Sequence, residues 1–181
     1  MPRARDGRRD RELLRAIAAG RSEALAELYD RHAVALFRHA MALSRQHADA
    51  DDLVQAVFVK VATMGAELLG VRTPSGYLHR MLHTAWLDGR RRVVTAERAA
   101  GRIPTPSPRP SGADEALAVA RALDGLPPLQ REVVILHLVE GYAFREVGHL
   151  TGVSLFTAAS RYRLALRRLR ETLGPPGRGT T

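Results

Sequence analysis

Residues 144–169 carry side chains whose types and spacing could read nucleic acid. The stretch is FREVGHLTGVSLFTAASRYRLALRRL. Gly152 separates a short helical pattern from a longer one, with Gly148 four residues before it and Ala158 six residues after it. At these positions, two helices that cross near a right angle need a left-handed turn and small inward-facing residues. The spacing predicts a helix-turn-helix over residues 144–163.

The second helix of this motif separates an apolar stripe from a polar face. A recognition helix reaches base edges from its first turns and phosphates from its flanks. An amphipathic helix pair with a solvated basic face is the alternative for this segment taken alone. The candidate base contacts are Phe156, Thr157, Ser160 and Arg161, and the candidate backbone contacts are Arg163, Arg167 and Arg168.

A second segment, YLHRMLHTAWLDGRRR at residues 77–92, sets aromatic side chains beside basic ones. Unpaired bases stack on aromatic rings while arginines follow the phosphates, so this pattern suits single-stranded nucleic acid. The aromatic residues could instead belong to a core, and the last three arginines could simply complement the negative end of a helix. The candidate contacts are Tyr77, Arg80, Trp86, Arg90, Arg91 and Arg92.

His79 and His83 lie one helical turn apart, a spacing that can place two imidazoles on one metal ion. No glutamate follows the first histidine as in the zincin pattern, and the sequence shows neither a third ligand nor a cysteine. We therefore predict no metal site. Neither a phosphate-binding glycine loop nor a nucleophile–base–acid set is recognisable, so the sequence predicts no cofactor and no enzyme.

The elements that must position these residues are helices. Apolar residues recur at helical spacing on both sides of residues 93–113, and no alternating stretch indicates a strand. Residues 93–113 contain four prolines and two glycines, which predicts an extended, flexible linker. The sequence thus predicts an all-α fold of two small domains, a helical bundle over residues 10–92 and a helix-turn-helix domain over residues 114–173.

Composition narrows the class of partner. The 181 residues include 28 basic and 19 acidic side chains, for a net charge of +9, and Lys60 is the only lysine. Such a surplus of arginine favours a polyanionic partner. The absence of cysteine excludes a disulfide scaffold and a thiol nucleophile. No apolar run approaches the ~18 residues of a membrane-spanning helix, so we expect a cytoplasmic protein without membrane insertion.

Three segments in order resemble the bacterial sigma factors of the extracytoplasmic-function (ECF) class, a branch of the sigma-70 family. Residues 49–62, DADDLVQAVFVKVA, look like the region 2 signature of that family, and residues 77–92 are similar to the helix that follows it. Residues 126–173 resemble region 4, with Leu-Pro before Gln-Arg-Glu-Val and Glu-Gly before the helix-turn-helix.

The resemblance implies a division of labour. Region 2 would dock on the β′ coiled coil of core RNA polymerase and capture unpaired bases of the −10 element, with a flipped base held by the loop at residues 67–75. Region 4 would dock on the β flap and read the −35 element in the major groove. The class also leads us to expect an anti-sigma factor, although no residue points to one. The implied polymerase-docking residues are Asp51, Asp52, Leu53, Gln55 and Phe58.

Two other functions fit part of the sequence. A helix-turn-helix transcriptional regulator could use its N-terminal helices to sense a ligand or to dimerise, and would need no polymerase contact. An interaction module could use the same helices to bind an inhibitory partner and leave DNA untouched.

Overall fold

The structure is a computed structural model that describes residues 3–99 and 115–173. These residues form helices and turns and contain no strand, which confirms the all-α prediction. No helix among them is both long and apolar enough to cross a membrane. The first half consists of α1 (Arg3–Ala18), α2 (Ser22–Ser44), α3 (His47–Thr63), a 3₁₀ turn (Gly65–Gly70) and α4 (Pro74–Ala99).

One core joins the helices of the first half, because the apolar residues of each helix recur on a single face. Leu28 and Leu36 of α2, Val61 of α3 and Leu82 of α4 are completely buried. Burial of a side chain of this size contributes about 1.5–3 kcal/mol. The repeated burial of such residues holds α3 and α4 in register and leaves their other faces free.

The last helix of this half is longer than the sequence predicts. The sequence predicts that the linker begins at residue 93, whereas α4 continues to Ala99. The physical reason is local, because alanine, glutamate and arginine, which occupy positions 96–99, are strong helix formers. The remainder of the predicted linker, residues 100–113, lies outside the described residues, and so does residue 114.

The second half is smaller and has two small clusters of buried residues. Leu136, Val147 and Leu150 belong to one cluster, and Leu126 and Val134 to the other. Such a small core gains from additional packing against a neighbour. The helices are α5 (Glu115–Asp124), α6 (Pro128–Val134) with a π turn (Ile135–Val139) after it, α7 (Phe144–Thr151) and α8 (Leu155–Leu173).

The two halves pack against each other, with α6 against α2 and α7 against α4. The Arg131 guanidinium is buried and donates from Nε to the carbonyl oxygen of Ala42 at 2.5 Å. Burial, together with the charge of Arg45, lowers the pKa of Arg131 to about 10. The hydroxyls of Ser75 and Tyr142 share a hydrogen bond of 2.7 Å. The sequence did not predict this contact between the halves.

Candidate functional site

The polar residues of the predicted docking stretch lie on the outer surface of α3. Asp51, Asp52 and Gln55 are exposed, because the opposite face of the helix supplies Val54, Val57 and Val61 to the core. Asp51 and Gln55 line a shallow groove beside α2, whereas Asp52 and Leu53 line the groove between α3 and α4. The predicted docking stretch therefore presents two neighbouring surfaces and not one.

Phe58 behaves differently from the other residues of this stretch. Its side chain is 6% exposed, and its ring lies 4.8 Å from the ring of Tyr29. Phe58 therefore helps hold α3 on α2 and offers a partner little surface of its own.

The groove between α3 and α4 brings the aromatic and basic residues of α4 together. It has a volume of about 930 Å³ and is partly open to solvent. The guanidinium of Arg90 lies 5.4 Å from the centre of the Trp86 ring, an arrangement that favours a cation–π interaction. Arg91 is paired with Asp88 at 3.4 Å. Tyr77, Arg80, Trp86, Arg90 and Arg92 all line this groove.

The loop before α4 borders a second, partly open cavity of about 560 Å³, which adjoins the groove at Tyr77 and Arg80. Glu67 and Arg72 of the loop and Tyr77 and Arg80 of α4 contribute to its wall. His149 of α7 also lines it, so the second half of the molecule covers part of this cavity. The cavity combines an aromatic ring, on which an unstacked base can stack, with charged groups of both signs.

The helix-turn-helix is present as α7, a turn and α8. Gly152 adopts φ 68°, and the N–H of Val153 donates to the carbonyl oxygen of Gly148 at 2.9 Å. A Cβ at Gly148 would lie 2.7 Å from the carbonyl oxygen of Val153, which no side chain would allow without movement. Ser154 Oγ accepts from the N–H of Thr157 at 3.1 Å and so caps α8. The two glycines therefore have the roles that their spacing predicts.

Most of the predicted DNA contacts lie on the face of α8 away from the core. Phe156 is 80% exposed, and Thr157, Arg163 and Arg167 are also exposed, while Ser160 and Arg161 are half-buried. Arg168 donates to the side-chain oxygen of Gln130 at 2.9 Å, so it braces α8 against α6. Exposed positions at the first turns of a helix that a tight turn holds away from its neighbour can enter a major groove.

A buried polar cluster that the sequence did not predict lies where the two halves meet. The cluster, called here the histidine–glutamate cluster, consists of His39, His79, His83 and Glu132, none of them more than 4% exposed. Glu132 Oε1 accepts from His39 Nε2 at 2.7 Å and from His83 Nδ1 at 2.5 Å. His39 Nδ1 lies 2.9 Å from His79 Nδ1.

Electrostatics keep Glu132 ionised. Burial alone would raise the pKa of this carboxyl group, but the hydrogen bonds from His39 and His83 outweigh burial and hold the pKa below its usual range. The only local signal in the sequence was the one-turn spacing of His79 and His83. His39 and Glu132 are 40 or more residues away from them in the chain, so no local pattern could have joined the four.

Models of two protein families match the chain, one on each half. The family described as sigma-70 region 2 matches residues 28–94, and the family described as sigma-70, region 4 matches residues 116–169. The first match includes the exposed faces of α3 and α4, and the second includes the helix-turn-helix.

Curated relatives agree with these matches. The chain is 34% identical over 171 residues to the ECF RNA polymerase sigma factor SigM of Mycobacterium tuberculosis, an alignment that covers 94% of this chain and 87% of SigM. It is also 34% identical over 160 residues to the ECF RNA polymerase sigma factor SigE of Mycolicibacterium smegmatis, covering 81% of this chain. The aligned part is 60% of the length of that SigE.

Two solved structures are similar over most of the chain. One is CnrH in complex with the cytosolic domain of CnrY, with a TM-score of 0.66 and 26% identity over 91% of this chain and 97% of the other. The other is the sigma factor RpoE in complex with the anti-sigma factor NepR from Bartonella quintana, with a TM-score of 0.61 and 26% identity over 77% and 89% of the two chains.

Proposed function

Because the chain belongs to the sigma-70 family and, within it, to the ECF sigma factors, we propose that it binds core RNA polymerase and directs promoter recognition and transcription initiation. The observation that supports this most strongly is the presence of both matched regions, in order, on the two halves of one chain. A helix-turn-helix regulator without a polymerase contact would not need the region 2 half.

We assign polymerase docking to the exposed side of α3. Asp51, Asp52 and Gln55 are free of the core, and exposed carboxylates beside apolar surface can pair with basic groups of a partner. Leu53 adds apolar contact at the edge of the groove between α3 and α4. We give Phe58 a supporting role, since its ring is buried against Tyr29 and shapes the surface from beneath.

We assign the −10 element to α4 and the loop before it. Trp86 and Tyr77 supply stacking surface along one groove, and Arg80, Arg90 and Arg92 supply positive charge beside them. Such a surface offers a single strand stacking faces for its unpaired bases and positive charge for its phosphates. The cavity at the loop would hold one flipped base against Tyr77 and Arg80.

We assign the −35 element to α8. Phe156, Thr157, Ser160 and Arg161 occupy its first two turns, where base edges are reached, and Arg163 and Arg167 lie further along, where phosphates are reached. These partners place the protein's work in the cytoplasm, and its role requires binding and positioning but no catalysis. An anti-sigma factor is a further expected partner, because solved relatives are described as complexes of this kind.

The docking surface supplies the test. Asp52→Arg should weaken binding to core polymerase at least about tenfold, because it places a positive charge where the partner should be basic. The free energy of unfolding should change by less than about 0.5 kcal/mol, since the side chain is exposed. Fluorescence anisotropy of the labelled chain with core polymerase measures the first, and urea unfolding the second.

Asp30→Arg is the matched control, because Asp30 is also an exposed aspartate but lies on α2 and lines neither groove. It should bind core polymerase as the unmodified chain does. Equal affinities for all three chains would contradict the assignment of docking to α3.

A further inference from the structure

The histidine–glutamate cluster joins the two halves of the molecule through groups that also bind transition metals. One ring nitrogen each from His39 and His83 and a carboxylate oxygen of Glu132 all lie within 4.8 Å of one another. Two imidazole nitrogens and one carboxylate form a recognised ligand set for Zn²⁺. His39 comes from α2, His83 from α4 and Glu132 from α6, so the three ligands come from both halves.

We propose that these three residues form a Zn²⁺ site that links the two halves of the sigma factor. Ligands of a tetrahedral zinc ion lie about 3.4 Å apart, since each is 2.0–2.2 Å from the metal. The nitrogen–oxygen distances of 2.5 and 2.7 Å would therefore widen by less than about 1 Å. The ion would replace the protons that these nitrogens now share with the carboxylate.

Two further observations favour a metal over a simple ion pair. Glu132 Oε2 is buried and has no hydrogen-bond partner among the described residues, so one carboxylate oxygen remains available as a ligand. His39 Nδ1 lies 2.9 Å from His79 Nδ1, and metal-binding histidines almost always hydrogen-bond through their second nitrogen. His79 would thus fix the orientation and tautomer of His39 without touching the metal.

Bound Zn²⁺ would also stabilise the compact arrangement of the two halves, in which the second half covers part of the surface that we assign to DNA binding. In that arrangement Ser75 is hydrogen-bonded to Tyr142, and His149 lines the cavity that we assign to a flipped base. By their names, the −10 and −35 elements are centred about 25 base pairs apart, or ~85 Å at 3.4 Å per base pair. A compact chain of this size is about 40 Å across. The halves must therefore separate to engage a promoter, and bound Zn²⁺ would oppose that separation.

Metal binding can be measured on the full chain through its single tryptophan. The ring of Trp86 lies 6.2 Å from that of His83, so its fluorescence should report occupation of the site. We expect a saturable change at one Zn²⁺ per chain and a rise in melting temperature. His83→Gln and Glu132→Gln should each weaken binding more than about 100-fold, and His79→Phe about 10–100-fold, the usual cost of losing an orienting partner.

Controls separate this site from chance binding to histidines. His47→Gln removes an exposed histidine from the start of α3 and should leave Zn²⁺ affinity unchanged. Circular dichroism must show that each variant is folded, and His83→Gln is the mildest change because His83, 4% exposed, lies at the edge of the cluster. Affinity that survives both His83→Gln and Glu132→Gln would overturn the proposal, and so would the absence of binding to the unmodified chain.

The link between the halves has its own measurement. The chain has no cysteine, so Ala26→Cys and Glu171→Cys allow specific labelling of one exposed position on each half. Zn²⁺ should shift energy transfer between the dyes toward the compact population, and should not do so when Glu132→Gln is added. Binding without any such shift would contradict the bridging role.

The consequence for transcription rests on the proposed function, and the two can fail separately. Zn²⁺ should reduce promoter-dependent transcription by the unmodified chain more than by Glu132→Gln, which also controls for effects of zinc on the polymerase. Transcription without Zn²⁺ binding would reject the metal site and keep the sigma function. Zn²⁺ binding without any transcription would reject the sigma function and keep the metal site.

Discussion

At the scale of single residues, α8 contains two arginines that we place in different environments. Arg161 is half-buried near the start of the helix, and Arg167 is exposed nearly two turns further on. Base contacts discriminate between sequences by about 1–3 kcal/mol, whereas phosphate contacts weaken all sequences about equally. The two substitutions should therefore have distinguishable effects.

Arg161→Ala should relax the preference for bases within the −35 element, and Arg167→Ala should lower affinity for every sequence alike. The second change should also reduce the slope of log affinity against log salt by about one. A panel of promoter variants titrated at several salt concentrations measures both. Unchanged base preference in Arg161→Ala would contradict the placement of Arg161 in the groove.

Asp10 provides a residue-scale prediction about stability. Its carboxylate is buried and accepts from Arg31 Nε at 2.8 Å and from His32 Nε2 at 2.9 Å. Burial would raise the pKa of Asp10, but these hydrogen bonds, with that from His32 the larger, hold it below its usual value. A lowered pKa means that the stabilisation is present above the unfolded-state value, about 3.9, and is lost as pH falls through the folded-state value.

Asp10→Asn should therefore reduce the free energy of unfolding by about 1–3 kcal/mol at pH 7, and the difference should shrink as pH falls below about 4. Urea unfolding of both chains across this pH range measures the gap, which is the difference between their free energies of unfolding. Asp30→Asn, at an exposed position, should show no comparable gap. A gap for Asp10→Asn that stays constant down to pH 2 would mean that charge on Asp10 is not its source.

At the scale of elements, the helix-turn-helix depends on a close approach at one glycine. A Cβ at Gly148 would meet the carbonyl oxygen of Val153 at 2.7 Å and the nitrogen of Leu155 at 3.2 Å. Because both atoms belong to the backbone, relief requires movement of the turn or of α8. At Gly89, within α4, a Cβ would have no atom within 4 Å among the described residues outside the neighbouring turns of its own helix.

Gly148→Ala should lower the free energy of unfolding by about 1–3 kcal/mol, as overpacking does. Gly89→Ala should raise it by up to about 1 kcal/mol, because alanine favours a helix more than glycine does. Thermal unfolding of the two variants measures whether stability falls in the first and rises in the second. A Gly148→Ala chain as stable as Gly89→Ala would contradict the packing described for the turn.

The elements that the sequence predicted well are those determined by neighbouring residues. The division between α7 and α8 lies where the sequence predicts it, because Gly152 ends α7 and Ser154 caps α8. The π turn after α6 was not predicted, since Ile135–Val139 has an ordinary apolar helical pattern. The extension of α4 to Ala99 was missed because the prolines that follow dominated the composition of the segment.

At the scale of the whole molecule, the sequence predicted two helical halves but not their contact. Arg131 and Ala42 are 89 residues apart in the chain, and His39 and Glu132 are 93 apart. The composition of a connecting segment says that two domains can separate and does not say whether they touch. Periodicity likewise marks a residue as inward-facing without naming its partner. The histidine–glutamate cluster could be found only once the halves were placed together.

The contact between the halves implies two arrangements of the molecule, a compact one in which the halves touch and an open one in which they are apart. The compact one covers part of the loop before α4 through Tyr142 and His149, whereas promoter engagement requires both α4 and α8 to face DNA. A ligand can shift the equilibrium between the two arrangements only by as much as its affinities for them differ. Core polymerase and promoter DNA should favour the open arrangement.

The most direct test of sigma function is transcription from genomic fragments by core polymerase with and without this protein. We expect new start sites that share two upstream sequence elements, and we expect Arg161→Ala to alter only the distal element. Asp52→Arg should abolish the new start sites, while Asp30→Arg should preserve them. Start sites identical to those of core polymerase alone, under conditions in which the protein is folded, would contradict the account.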